Sequence, residues 1–188
     1  MLTSRMFSVV LVTAMVAESA MLAVLSTRHA ELRRDVQRIL REATVPRVGA
    51  FYPQFVAAAS TQRTPLVVGA APLGRSQLIL VYSRSCQYCR ASLSAWRGLL
   101  ANADSLGTVD PLVIALDSID ASRDSLRQGG INTDVVTFPS GRERTLARAH
   151  ATPETVLLSS DGRILAAHTG LVTDSIVALI TRAAATHP

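Results

Sequence analysis

The stretch Leu78–Arg90, Leu-Ile-Leu-Val-Tyr-Ser-Arg-Ser-Cys-Gln-Tyr-Cys-Arg, limits what this chain can become more than any other. Leu78–Tyr82 is a short apolar run with β-branched and aromatic residues, bounded by turn formers, and predicts a buried strand. Ser83–Ser85 supply a turn. Cys86 then opens a helix whose expected inner face is Cys89, Leu93, Trp96 and Leu100, at spacings of three and four. A cysteine at a helix start meets free backbone N–H groups and the positive end of the helix dipole, and both favour an anion. Its thiolate, the reactive form, is then accessible near neutral pH. Cys89 lies one turn further in, more shielded, and is placed to resolve a mixed disulfide formed by Cys86.

A Cys-x-x-Cys pair is open to several chemistries. A redox dithiol suits the strand–turn–helix setting. A zinc site needs two further ligands at matching spacing. The chain has no third cysteine, and His29, His150, His168 and His187 are scattered. Haem attachment needs histidine directly after the second cysteine, where Arg90 stands. A pair of buried cysteines, or a bridge that only holds a loop, is the purely structural alternative.

The 188 residues suffice for one domain and an appendage. Aromatic residues make up only 4%, so the core is expected to be built from Val, Leu, Ile and Ala. The net charge of +5 is carried by arginine alone, since lysine is absent, and it is concentrated between Arg28 and Arg47. Nucleic-acid binding would want basic residues interleaved with aromatics on one face. That pattern is missing, so no nucleic-acid partner is expected. Two close cysteines and no others fit an exported redox protein without fixing the compartment.

Between Met6 and Thr27 the only charged residue is Glu18. As a helix this stretch would reach roughly 33 Å, enough to cross a bilayer core. Glu18 opposes insertion by about 3 kcal/mol. Residues 1–27 read as an uncleaved signal anchor. A cleaved signal peptide, with no convincing site near Glu18-Ser19-Ala20, and a buried soluble helix are the alternatives. The positive-inside rule sets Arg5 and the amino terminus against Arg28, Arg33, Arg34, Arg38 and Arg41, and taken alone it puts the C-terminal domain in the cytoplasm. Residues 28–47 read as a charged helical linker. Leu32, Val36, Ile39 and Ala43 recur at helical spacing, which suits either a short stalk pairing two chains as a homodimer or an amphipathic linker. Pro46 ends it, and the globular domain is expected over 48–188.

Within that domain, Phe51–Ala57 and Leu66–Val68 suggest an added hairpin. Val109–Leu116 predicts a strand broken early by Pro111. A helix is expected from around Ile119–Ser122 to Gly129-Gly130, a strand over Val135–Phe138, and a short helix over Arg142–His150. Thr155–Ser159 and Arg163–His168 flank a tight Asp161-Gly162 turn, and Val172–Ala185 closes the chain as a helix. This order implies parallel crossovers followed by an antiparallel hairpin, hence an α/β fold with a mixed sheet and helices on both faces.

Cys86-Gln-Tyr-Cys89 after a strand, Thr152-Pro153 before a strand–Asp161-Gly162–strand hairpin, and a final helix together resemble the thioredoxin-like fold. The extra strand–helix between the halves and the anchored N-terminus resemble its membrane-tethered TlpA/ResA-like bacterial branch. The resemblance covers Val48 to the C-terminus. It implies that Pro153 is a cis-proline facing the dithiol, and that Thr152 leaves backbone groups open to pair with a substrate segment. It implies a thiol–disulfide oxidoreductase that reduces protein disulfides, for instance in cytochrome c maturation. Its domain would be extracytoplasmic (periplasmic), its electrons would come from a membrane thiol protein, and it would need no cofactor beyond the Cys86–Cys89 pair. Departures are visible. Ser85 replaces the tryptophan that precedes the first cysteine in thioredoxin. Leu80 stands where thioredoxin has a buried carboxylate. The intervening dipeptide lacks proline.

Around the motif, Arg84 and Arg90 are candidates to stabilise a thiolate, Tyr88 is expected on the surface, and Trp96 in the core. Helix capping is expected of Asp117 or Asp120. A peroxide-reducing relative would want a Thr-like hydroxyl where Ser83 stands. A thioredoxin-fold binding or scaffold module with a structural disulfide is the rival reading of the whole.

Overall fold

The computed structural model describes residues 15, 18–35, 45–58 and 65–186. The chain divides into two compact units, one ending at Glu42 and one running from Ala43. In the first, helix α1 (residues 18–35) continues without a break across Thr27 and Arg28, and its described residues are exposed. Among the described residues no helix is long and apolar enough to cross a membrane. The expected span and the expected stalk both lie partly outside the described residues.

The second unit is built on one central strand. β3 (Ser76–Tyr82) is buried along its whole length. It pairs in parallel with β4 (Val109–Ala115) and antiparallel with β6 (Glu154–Leu158), with Leu80 opposite Val113 on one side and Thr155 on the other. β5 (Asp134–Val136) and β7 (Ile164–Thr169) complete a five-stranded mixed sheet in the order β5-β4-β3-β6-β7. A strand covered on both faces can be apolar at successive positions, and this explains the unbroken Leu78–Tyr82 run.

Alternation divides the run between two cores. Leu78, Leu80 and Tyr82 join Trp96, Leu99, Leu126 and Ile180 on one face. Those partners come from α2 (Gln87–Leu106), α3 (Ile119–Gln128) and α5 (Asp174–Thr186). Ile79 and Val81 join Tyr52, Phe55, Val68, Val136, Ala147 and Ala149 on the other. This second face is covered mainly by the N-terminal segment, with the two-stranded antiparallel sheet of β1 (Phe55–Val56) and β2 (Val67–Val68), and by the chain that follows α4 (Gly141–Leu146). The helices expected on both faces therefore contribute chiefly to one. Gln77 fastens the hairpin to the sheet: its side chain accepts from Gly69 N at 2.8 Å and donates to Val67 O at 3.0 Å. Residues 49–52 bond to the start of β7, and the Arg163 guanidinium lies 4.6 Å over the Phe51 ring. This covers part of an otherwise open sheet edge.

Two expectations about the elements change. Pro111 does not break β4. It sits opposite Leu78, and pairing with β5 begins only at Leu112, so the sheet tolerates a residue without an N–H there. The buried stripe of α2 is Cys89, Ser92, Trp96, Leu99 and Ala103. Leu93 and Leu100, expected inside, are only half-buried, because the helix turns small Ser92 rather than Leu93 toward the sheet. Gly107 ends α2 at φ 67° and donates its N–H to Ala103 and Asp104 carbonyls, a left-handed position that suits glycine.

Candidate active site

The site forms where β3 turns into α2. Cys86 is the N-cap of that helix, with φ −80° and ψ 116°, and its sulfur accepts the Cys89 N–H at 3.3 Å. The sulfur thus occupies the place usually held by a capping oxygen, on donors the helix leaves free. The Thr152–Pro153 peptide is cis, and the Cys86 thiol donates to the Thr152 carbonyl at 3.3 Å. Cys86, Cys89, Thr152 and Pro153 thus meet at one end of the sheet, and both cysteines are free thiols.

The two sulfurs differ in electrostatics. Partial burial pushes the Cys86 thiol up, but the Thr152 side chain and the Cys89 and Tyr88 backbone outweigh it and hold Cys86 below the ordinary thiol range. Cys89 is fully buried. Burial pushes it up to about 12, against the pull of a hydrogen bond from the Ser83 backbone. The first cysteine therefore ionises readily, and the second stays protonated while its neighbour carries charge. Such a pair can attack a disulfide with Cys86 and release the mixed disulfide with Cys89.

The surroundings hold residues that sequence reasoning misplaced or missed. Asp117 caps no helix: Ser118 stands at the N-cap of α3. Asp117 instead accepts from the Ser83 hydroxyl at 3.0 Å and from the Arg84 backbone N–H. Equal apolar runs in β3 and β4, paired in parallel, put the residue after Leu116 beside the turn after Tyr82, and that signal was available in the sequence. Ser83 and Ser85 share a 2.8 Å hydrogen bond. The Ser83 hydroxyl is thus engaged with Asp117 and Ser85. Ser92, buried, donates to Tyr88 O and accepts from Val172 N, while Gly170 N donates to Pro153 O. This ties the first turns of α2 to the loop after β7 and that loop to the cis-proline.

Arg90 reaches back to the Arg84 carbonyl at 3.4 Å. Tyr88 is exposed, and Trp96 lies in the core, where its Nε1–H donates to Thr155 Oγ1 at 3.0 Å. Directly after Pro153, Glu154 is wholly buried on the opposite sheet face. Its carboxyl oxygens have no hydrogen-bond partner among the described residues, and burial pushes the group up to about 8. Among the described residues, no group of three or more His, Cys, Asp or Glu side chains is arranged to hold a metal ion.

A parallel–antiparallel sheet of this order, with a Cys-x-x-Cys at the head of the first long helix and a cis-proline opposite, defines the thioredoxin-like fold. Solved structures bear out that class. StoA from Bacillus subtilis is similar at 14% identity and a TM-score of 0.54, covering 73% of this chain and 98% of its own. A thiol-disulfide oxidoreductase from Bacteroides fragilis is similar at 17% identity and 0.59, covering 71% and 98%. A peroxiredoxin-like protein from Aquifex aeolicus is similar at 15% and 0.57, covering 73% and 88%. No protein-family model matches the chain, and no curated protein matches it.

Proposed function

We propose that the protein is a thiol–disulfide oxidoreductase, membrane-anchored through its N-terminal helix, that reduces disulfides of protein substrates outside the cytoplasm. One observation carries this reading: a half-exposed thiol with lowered pKa at a helix N-terminus, facing a cis Thr152–Pro153 peptide, backed by a shielded thiol with raised pKa. The Cys86 thiolate attacks one sulfur of the substrate disulfide and expels the other as a thiolate. Cys89 then loses its proton and attacks the Cys86 sulfur, releasing the second substrate thiol and leaving the Cys86–Cys89 disulfide. Two electrons pass to the substrate, and a membrane thiol protein returns them. The pair itself is the redox group, so the reaction requires no cofactor. Exposed Tyr88 and Leu171 offer apolar surface beside the motif and beside the loop bonded to Pro153, suited to an extended polypeptide.

The anchor is supported by exposed Met21, Leu22, Val24 and Leu25 on α1. The Ser19 hydroxyl also donates to Met15 O, and the Ser26 and Thr27 hydroxyls to the Ala23 and Val24 carbonyls of α1, each at 2.8 Å, as suits an apolar medium.

The test is the equilibrium of the full chain with a glutathione redox buffer. A reversible couple near thioredoxin's potential of about −270 mV, or below, is expected for a reductant, and about −120 mV would mark an oxidant. Cys86→Ser should abolish insulin-disulfide reduction. Full activity in that variant would overturn Cys86 as the nucleophile, and no reversible couple in the wild type would sink the reading and leave a binding module with a structural cysteine pair.

A further inference from the structure

Ser92 carries the one hydroxyl on the buried stripe of α2, and it is wholly buried. Both hydrogen-bonding roles of that hydroxyl are filled. It donates to Tyr88 O at 2.8 Å within its own helix and accepts from Val172 N at 3.0 Å in the loop after β7. A buried backbone N–H is costly without a partner, so the Val172 amide fastens this loop to the helix. The loop carries the fastening on to the cis-proline. Gly170 donates its N–H to Pro153 O at 2.8 Å. Pro153 follows Thr152, whose carbonyl takes the Cys86 thiol at 3.3 Å. Cys86 caps the helix that bears Ser92. These contacts close a ring that runs from the helix through the loop and the cis-proline segment back to the sulfur. A second link lies one turn deeper, where Trp96 Nε1–H donates to Thr155 Oγ1 at 3.0 Å and holds the body of β6 to the same helix. The last register pairs of β6 are Glu154 with Val81 and with Thr169. Thr152 lies beyond both, so its backbone stands outside the register of the sheet, where an extended polypeptide can add to it.

We infer that Ser92 is a positioning residue for polypeptide substrates: through Val172 and Gly170 it holds the Thr152–Pro153 segment where a substrate strand added to it brings its disulfide onto the Cys86 sulfur. The inference rests on the oxidoreductase reading and deepens it. The sulfur itself is held by its own helix turn, where it takes the Cys89 N–H at 3.3 Å. Removing the Ser92 hydroxyl leaves the backbone ladder of α2 intact and deprives the Val172 amide of its acceptor. The Trp96 link to Thr155 stays, so β6 keeps its place while the segment ahead of it loosens. Strand pairing with the substrate is what such loosening weakens, because alignment at Thr152 depends on where that segment stands.

Two classes of disulfide separate the roles. Dithiobis-nitrobenzoate has no backbone to pair: the Cys86 thiolate attacks one of its sulfurs, a mixed disulfide forms, and one thionitrobenzoate leaves. Insulin presents its disulfides on polypeptide. In the full chain, with dithiothreitol regenerating the dithiol, Ser92→Ala should raise KM for insulin about fivefold and leave kcat within about twofold, as expected for losing one hydrogen bond that places the substrate. The first release of thionitrobenzoate from stoichiometric dithiobis-nitrobenzoate should stay within about twofold of wild type. An unchanged insulin KM, a fall in kcat alone, or equal slowing with both disulfides would each overturn the inference. Where Ser92→Ala fails to fold, Gly170→Ala carries the test. Gly170 has a φ of 108°, which strains any side chain, while a Cβ there meets nothing within 4 Å. That variant disturbs the same loop without crowding and should raise the insulin KM to a similar extent; an unchanged KM there would also overturn the inference. A wild-type chain that reduces neither disulfide would sink the oxidoreductase reading, and this inference with it.

Discussion

Cys86 and Cys89 share one helix turn and differ in what surrounds each sulfur. Cys86 keeps contact with solvent and gains backbone donors, whereas Cys89 loses water altogether. An alkylating reagent at neutral pH should therefore modify Cys86 and spare Cys89 in the folded protein, and peptide mapping after a short pulse reads this directly. Glu154 behaves oppositely to a surface carboxylate. Its ordinary value is 4.5, and burial raises it to about 8 in the fold. Between those values the folded protein holds a proton that the unfolded chain has released, so stability falls as pH rises. The loss is complete once pH exceeds the folded value, and it amounts to a few kcal/mol. Urea midpoints of the reduced protein should drop from pH 5 to pH 8.5, and Glu154→Gln should flatten that slope. Equal slopes in both proteins would mean that another group titrates. At this scale the cysteines were legible because chemistry, spacing and helix start coincide in a few neighbouring residues. The burial of Glu154 was not, since it depends on Tyr52 and the N-terminal segment packing over the far face of the sheet.

Single elements were legible wherever both faces of a strand or one stripe of a helix carried the signal. β3 and the hairpin around Asp161-Gly162 fall where apolar runs and turn formers place them. The rotation of α2 was harder to read. Leucines at 93 and 100 and at 99 offer overlapping stripes, and the choice is made by Trp96 bonding Thr155 and by Ser92 bonding Val172 across to other elements. β5 stops at Val136 instead of reaching Phe138, because Phe138 turns to meet Phe55 with ring centroids 5.2 Å apart. The end of α2 makes a sharp prediction. Gly107 has open space around a would-be Cβ but a φ of 67°. Gly107→Ala should therefore cost about 1 kcal/mol through backbone strain alone. Thermal unfolding should show a fall of a few degrees with thiol exchange unchanged. An unchanged melting temperature would mean that the helix end relaxes.

For the molecule as a whole, the mixed five-stranded sheet was readable from the order of elements, and the asymmetric covering of its faces was not. Which face a hairpin joins is decided by contacts such as Gln77 with Gly69 and Val67, which no local pattern announces. The unit from Ala43 onward contains the sheet, both cores and every residue of the site. A fragment beginning there should keep the dithiol–disulfide equilibrium of the full chain, while only the full chain should stay in the membrane pellet after alkaline carbonate extraction. Release of the full chain by carbonate would remove the anchor from the proposal and leave the chemistry standing.

The position of β3 also sets an order of assembly. Its parallel neighbour β4 follows after one helix, but its antiparallel neighbour β6 begins only at Glu154, and Thr152 arrives just before it. A chain emerging N-terminus first presents Cys86 long before the strand that closes the central sheet has been made. From the end of α2 at Leu106 until Thr152 is made, the chain carries the nucleophile but lacks the carbonyl that faces it. The site is complete only once Thr152 and β6 have been made, so a truncation between the end of α2 and β6 leaves a chain with both thiols and only part of the machinery that governs them.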